Sequence, residues 1–71
     1  MNFRIYAETD GTLTRVGRAI RHLDKALKAV ARFGNAEIRI RLPSGREALF
    51  AVKVLNKLKT VDGNTLHLPD A

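Results

Sequence analysis

The chain has 71 residues, with 13 Lys and Arg against 7 Asp and Glu, which gives a formal net charge of +6. So short a chain has no room for separate cofactor-binding and substrate-binding halves, which excludes most enzymes built on large α/β scaffolds. The 45% hydrophobic and 28% charged residues are typical of a folded globular chain, and the absence of Cys excludes disulfides and thiolate chemistry.

Residues 2–7 are predicted to form the first strand, because apolar and more polar side chains alternate along them. Phe3, Ile5 and Ala7 make up the apolar side of this strand. The polar segment around Gly11 is typical of a turn, after which a helix is expected to begin.

Residues 13–33 are predicted to form one long amphipathic helix. Its apolar positions recur at alternating spacings of four and three residues and are Val16, Ile20, Leu23, Leu27 and Val30. Such spacing places one apolar face along about five turns of helix. The helix is expected to end at Gly34. Gly17 lies within it, at a cost of about 1 kcal/mol relative to Ala.

Two further strands are predicted at 36–42 and 46–55, where apolar and charged residues again alternate. The Pro, Ser and Gly at 43–45 form a short connection that is typical of an antiparallel hairpin. The last segment, 57–68, contains an Asp-Gly turn and is predicted to be a tail with a possible short hairpin.

Together these elements predict a single α+β domain over residues 1–71, in the order β-α-β-β with a short fourth strand left open. One amphipathic helix is expected to pack on one face of a three- to four-stranded mixed sheet, since only the strands offer enough apolar surface to cover it. A right-handed crossover would then join the first two strands in parallel.

Six cations are predicted to form a basic ridge on the solvent side of the long helix, opposite its apolar stripe. They are Arg15, Arg18, Arg21, Lys25, Lys28 and Arg32. Clustered Arg and Lys of this kind can contact an acidic partner, either phosphates or carboxylates. They can equally serve as a solvated helix face, because both residue types are good helix formers. The sequence leaves these two interpretations open.

A second basic surface is predicted on the face of the sheet that the helix leaves uncovered. Its candidate residues are Arg4, Tyr6, Arg39, Arg41 and Lys53. An aromatic ring among arginines on an open sheet resembles, in outline, the platforms on which the bases of single-stranded RNA stack. The alternative is that Tyr6 is a half-buried strand residue with its hydroxyl in water.

Motifs for catalysis, cofactors and metals are not found. The chain has two His, a single Ser and seven scattered acids, which together form no recognisable acid–base or nucleophilic site. There is no Gly-rich phosphate loop, and two His without Cys make a poor zinc site. We therefore expect a protein that is not an enzyme and that holds no cofactor or metal.

The charge map instead predicts a small binding protein that docks a basic surface on an acidic partner. The partner expected first is a larger protein or nucleoprotein complex, which this chain would regulate or inhibit as small phage or mobile-element proteins often do. A nucleic-acid-binding module is the alternative, and a homodimer is left open. The chain has no apolar run that could span a membrane and no signal-peptide pattern, which predicts a cytoplasmic location.

Overall fold

The computed structural model describes residues 1–69, so the last two residues of the predicted domain lie outside the described residues. This part of the chain contains one six-stranded antiparallel sheet and one short helix. The strands are β1 (Phe3–Thr9), β2 (Thr12–Ile20), β3 (Asn35–Arg41), β4 (Glu47–Val54), β5 (Lys57–Thr60) and β6 (Thr65–Leu66), and the helix α1 (Leu23–Val30) lies between β2 and β3. Across the sheet the order is β2-β1-β3-β4-β5-β6.

The predicted helix over 13–33 is wrong in its first half, which forms the strand β2. A hairpin turn at Asp10 and Gly11 joins β2 to β1, with Thr9 paired to Thr12. Both central residues have positive φ, 52° at Asp10 and 80° at Gly11, as a type I′ turn requires. This turn matches the right-handed twist of two antiparallel strands, so the chain turns back as a strand instead of entering a helix.

The apolar spacing misled the prediction because a separation of four residues suits both kinds of element. Val16 and Ile20 share one face of an α-helix, and they also share one face of a strand, whose period is two. Both pack against the core from β2. Only Leu23, Leu27 and Val30 belong to the short helix, where the spacing of four and then three is helical.

The predicted fold class is therefore corrected from a three- to four-stranded mixed sheet under a long helix to six antiparallel strands with one short helix. The predicted parallel crossover between the first strand and the strand at 36–42 is also wrong, because β1 and β3 pair antiparallel. β2 and β3 flank β1 and both run against it. The helix connects β2 to β3 and packs mainly on β1, which lies between them.

The core lies between α1 and the sheet. Ile5, Ile38, Leu58 and Val30 are its largest fully buried side chains. The rings of Phe3 and Phe50 add an edge-to-face contact, with centroids 5.3 Å apart.

Lys53 is a charged residue on the core side of the sheet, and only 4% of its surface is exposed. Its ammonium group donates hydrogen bonds to the carbonyl oxygens of Phe33, Gly34 and Leu55. These carbonyls belong to the turn after α1 and to the turn between β4 and β5. Lys53 therefore ties two turns together, which explains why a charge is tolerated there.

Replacing Gly17 by Ala distinguishes this fold from the predicted helix, because the two structures predict changes of opposite sign in the free energy of unfolding. Gly17 has φ 72° at an irregularity in β2, and a Cβ added there would meet nothing within 4 Å. The cost therefore comes from the left-handed backbone alone. We expect Gly17→Ala to lower the free energy of unfolding by about 1 kcal/mol in urea titrations. A helix would gain stability from the same change.

Replacing Lys53 by Met tests the buried ammonium group. Removing it leaves backbone carbonyls without their donor, and we expect a loss of about 2 kcal/mol in unfolding free energy. Lys59→Met, at an exposed position on the neighbouring strand, is the matched control and should change stability little. Equal stability of the two variants in thermal or urea unfolding would contradict this role for Lys53.

Candidate partner-binding surface

The six cations predicted to form a helical ridge do not share one helix. Arg15 and Arg18 lie on β2, Lys25 and Lys28 lie on α1, and the remaining two lie just before and just after α1. The prediction of a continuous ridge is therefore wrong, because the first half of the predicted helix is a strand. All six side chains are exposed.

Two of these cations meet at a cavity between β2 and the C-terminal end of α1. The cavity has a volume of about 340 Å³, and Arg18 and Arg32 both line it. The strand contributes Arg18, and the segment after the helix contributes Arg32. The apolar part of the lining includes Ile5, Val16, Ile20 and Phe33. Charge from two distant segments of the chain thus borders one apolar hollow.

A second cavity, of about 400 Å³, adjoins the first. Arg21 and Lys25 line it, and Ala19 and Ile20 belong to both linings. We call the two cavities with their four bordering cations, Arg18, Arg21, Lys25 and Arg32, the basic groove. Arg15 and Lys28 line neither cavity.

The charge of the protein is concentrated beside this groove. Residues 12–32 hold six cations and one acid, Asp24, and therefore five of the six net positive charges of the chain. Within residues 1–69 the ion pairs involve other arginines, and none includes a cation of this segment. The groove cations are exposed and make no ion pair with a carboxylate of residues 1–69, so their positive potential is directed to solvent.

The second candidate face behaves differently, because two of its cations, Arg4 and Arg39, are paired with carboxylates within the protein. Arg4 donates a hydrogen bond to Glu47 at 2.7 Å, and the Tyr6 hydroxyl donates to the other oxygen of the same carboxylate at 2.5 Å. Arg39 donates to Glu37 at 2.9 Å, and its guanidinium lies 3.9 Å from the centre of the Tyr6 ring. One face of the ring is thus covered.

These contacts shift two pKa values in opposite directions. The hydrogen bond from Tyr6, and to a smaller extent the one from Arg4, stabilises the carboxylate of Glu47 and holds its pKa below the ordinary value of 4.5. The same hydrogen bond to Glu47, followed by burial, raises the pKa of Tyr6 above its ordinary value of 10.0. The network is therefore complete near neutral pH, with an ionised carboxylate and a neutral phenol.

Two members of the predicted second face lie outside this network. Lys53 is on the opposite, core side of the sheet, because it pairs with Ala36, a core residue. Arg41 is exposed and makes no ion pair among the described residues. Glu37 and Glu47 were not predicted to belong to this face. Glu37 lies two residues from Arg39 on the same strand, and Glu47 pairs with Arg41 on the facing strand, and both spacings place an acid beside a cation.

Comparisons with family models, with curated proteins and with solved structures gave no match for this chain. Over residues 1–69, no three His, Asp or Glu side chains are grouped so that they could hold a metal ion. In the same residues, no helix is long and apolar enough to cross a membrane. The site must therefore be interpreted from its own geometry.

Removing the carboxylate of Glu47 should weaken the pH dependence of stability in acid. A folded pKa below the unfolded value of about 4.5 contributes stability that is present above that pH and is lost as the pH falls through the lower folded value. We expect wild-type protein to lose stability below about pH 4.5 and Glu47→Gln to lose less, as measured by thermal melting across pH. Glu8→Gln, which removes one carboxylate at an exposed position, is the control for the change in net charge. A Glu47→Gln slope equal to that of wild type would contradict the network.

Proposed function

We propose that this chain is a non-catalytic binding protein that docks its basic groove on an acidic surface of a larger protein or nucleoprotein complex, as a regulator or inhibitor of the phage or mobile-element type. One observation carries the proposal. Four exposed cations, Arg18, Arg21, Lys25 and Arg32, border the basic groove, while Arg4 and Arg39 on the other face of the sheet are paired with Glu47 and Glu37. Exposed charge around an apolar floor is the arrangement of a protein interface, in which an apolar centre has a polar rim.

The apolar floor favours a protein partner over nucleic acid. Phosphates need cations but no hollow lined by Val16, Ile20 and Phe33, whereas protein interfaces combine an apolar centre with a charged rim. The sheet face also offers less surface for base stacking, since Arg39 covers one face of the Tyr6 ring and Glu47 holds its hydroxyl.

Nucleic acid is the second candidate, and the concentration of charge favours it. Five of the six net positive charges lie within residues 12–32, and phosphates would attract them as strongly as carboxylates do. A cytoplasmic location is proposed as well, supported by a Cys-free chain that needs no oxidising compartment.

Charge reversal in the groove tests the proposal. The variant Arg18→Glu, Lys25→Glu, Arg32→Glu is compared with a control, Arg46→Glu, Lys57→Glu, Lys59→Glu, that changes net charge equally at exposed positions away from the groove. Immobilised wild type and control should retain the same protein from lysate of the source cells, and the groove variant should lose it. With that protein purified, we expect the Kd measured by calorimetry to rise at least about tenfold for the groove variant only.

Retention of the partner by a folded groove variant would overturn the proposal. A separate measurement addresses nucleic acid, using fluorescence anisotropy of labelled single- and double-stranded DNA and RNA at low and physiological salt. Binding that survives physiological salt and depends on Arg18, Lys25 and Arg32 would favour the nucleic-acid function. Binding that vanishes with salt and is equally weakened in the control would reflect net charge alone.

A further inference from the structure

We propose that β2 accepts an extended acidic segment of the partner as an added strand, with one large apolar side chain of that segment in the cavity between β2 and α1. This inference rests on the proposed function, since it specifies how the basic groove holds its partner. It is based on a free strand edge, an apolar cavity beside that edge and the charges around both.

The free edge is that of β2, which ends the sheet and pairs with β1 alone. It is nine residues long, whereas β6, at the opposite edge, has only two. An extended segment that adds to a sheet edge gains main-chain hydrogen bonds along its length, so the longer edge offers far more binding. Of the two edges of the sheet that residues 1–69 form, only β2 can hold a full added strand.

The cavity provides a pocket for a side chain of such a strand. It lies on the α1 side of the sheet and is lined by Val16 and Ile20 of β2 together with Phe33. Alternate side chains of a strand added beside β2 would point to that same side. A volume of about 340 Å³ has room for a large apolar side chain.

The shape of β2 opens this pocket. Val16 pairs with Ile5 and Ile20 pairs with Phe3, so three residues of β2 face the single residue Arg4 between those pairs. Gly17, with φ 72°, lies in this irregular stretch and also lines the cavity. A bulge bends a strand and increases its local twist. The bend accounts for a hollow between the edge strand and the helix.

The surrounding charges indicate that the added segment is acidic. Charged residues and bulges on edge strands commonly prevent self-association, and that role would explain Arg15 and Arg18. It does not explain Arg32, which follows the helix and yet borders the same cavity as Arg18. A second copy of this chain is a poor occupant, because pairing two β2 strands would bring like charges together. Carboxylates flanking an apolar anchor complement the site.

Synthetic peptides test this mode directly. The probe is a labelled peptide of about eight residues in which Glu alternates with Leu and one central Phe takes the place of a Glu, so that Phe and the carboxylates on either side of it face α1. One comparison peptide has the same composition with its acidic and apolar residues grouped. Another carries N-methyl groups on the alternate backbone nitrogens that would donate hydrogen bonds to β2. We expect the alternating peptide to bind at least about tenfold more tightly than either one in fluorescence anisotropy.

Matched protein variants locate the binding. Ala29→Leu places extra carbon in the cavity that Ala29 lines, and Ala31→Leu adds the same volume at a position that lines neither cavity. We expect weaker peptide binding by at least about tenfold for Ala29→Leu and for Arg32→Glu, and little change for Ala31→Leu. Hydrogen exchange measured by NMR should show that the peptide protects the amides of β2 that face away from β1.

Equal binding of the alternating, grouped and methylated peptides, or no protection of β2 amides, would overturn the added-strand mode. That result would leave the proposed function standing, because the proposed function is tested separately by binding of the intact partner to the charge-reversed variant. Loss of partner binding in the groove variant together with failure of the peptide arm would mean that the groove docks a folded acidic surface. Both failures together would overturn both proposals.

Discussion

The turn at Asp10 and Gly11 sets the path of the rest of the chain. Positive φ at both residues allows a two-residue connection, so β2 returns alongside β1. The chain then leaves β2 at the far edge of the sheet and must cross β1 to reach β3, and the short helix makes that crossing. The edge position of β2, the place of α1 and the cavity between them all depend on this one reversal.

The charges are divided between two surfaces according to what lies opposite them. On the face away from α1, Arg4 pairs with Glu47 of β4, Arg39 pairs with Glu37 of its own strand, and Arg39 lies over the ring of Tyr6. Beside β2 and α1 there is almost no acid, and the cations stay exposed. Two groups of basic residues that look alike in the sequence thus have different chemistry, one internal and stabilising and the other available to a partner.

The basic groove brings together three surface features on which the proposed binding depends. A free strand edge would supply main-chain hydrogen bonds, an apolar hollow would supply an anchor point, and the cations around it would supply long-range attraction and orientation. Each alone would be a common surface feature. Their coincidence between Arg18 and Arg32 is the reason for preferring an acidic protein segment over a phosphate backbone as partner.

The sequence by itself determined the strands near 36–42 and 46–55 closely, because alternation and a Pro-Ser-Gly break are local signals. Two further features of the sequence indicated that β2 is a strand. The Asp-Gly pair favours a hairpin turn, and a glycine at position 17 is unfavourable inside a long helix. The spacing of Val16 and Ile20 outweighed both, since four residues fit either period.

Only the tertiary structure decided which charges are paired and which are free. Glu47 lies more than forty residues from Arg4 and Tyr6 along the chain and meets both across the sheet. Arg18 and Arg32 likewise come together only because the helix folds back over the sheet beside the edge strand. Local pattern determines which elements form, whereas strand order and register determine which side chains meet, and those depend on contacts between distant residues.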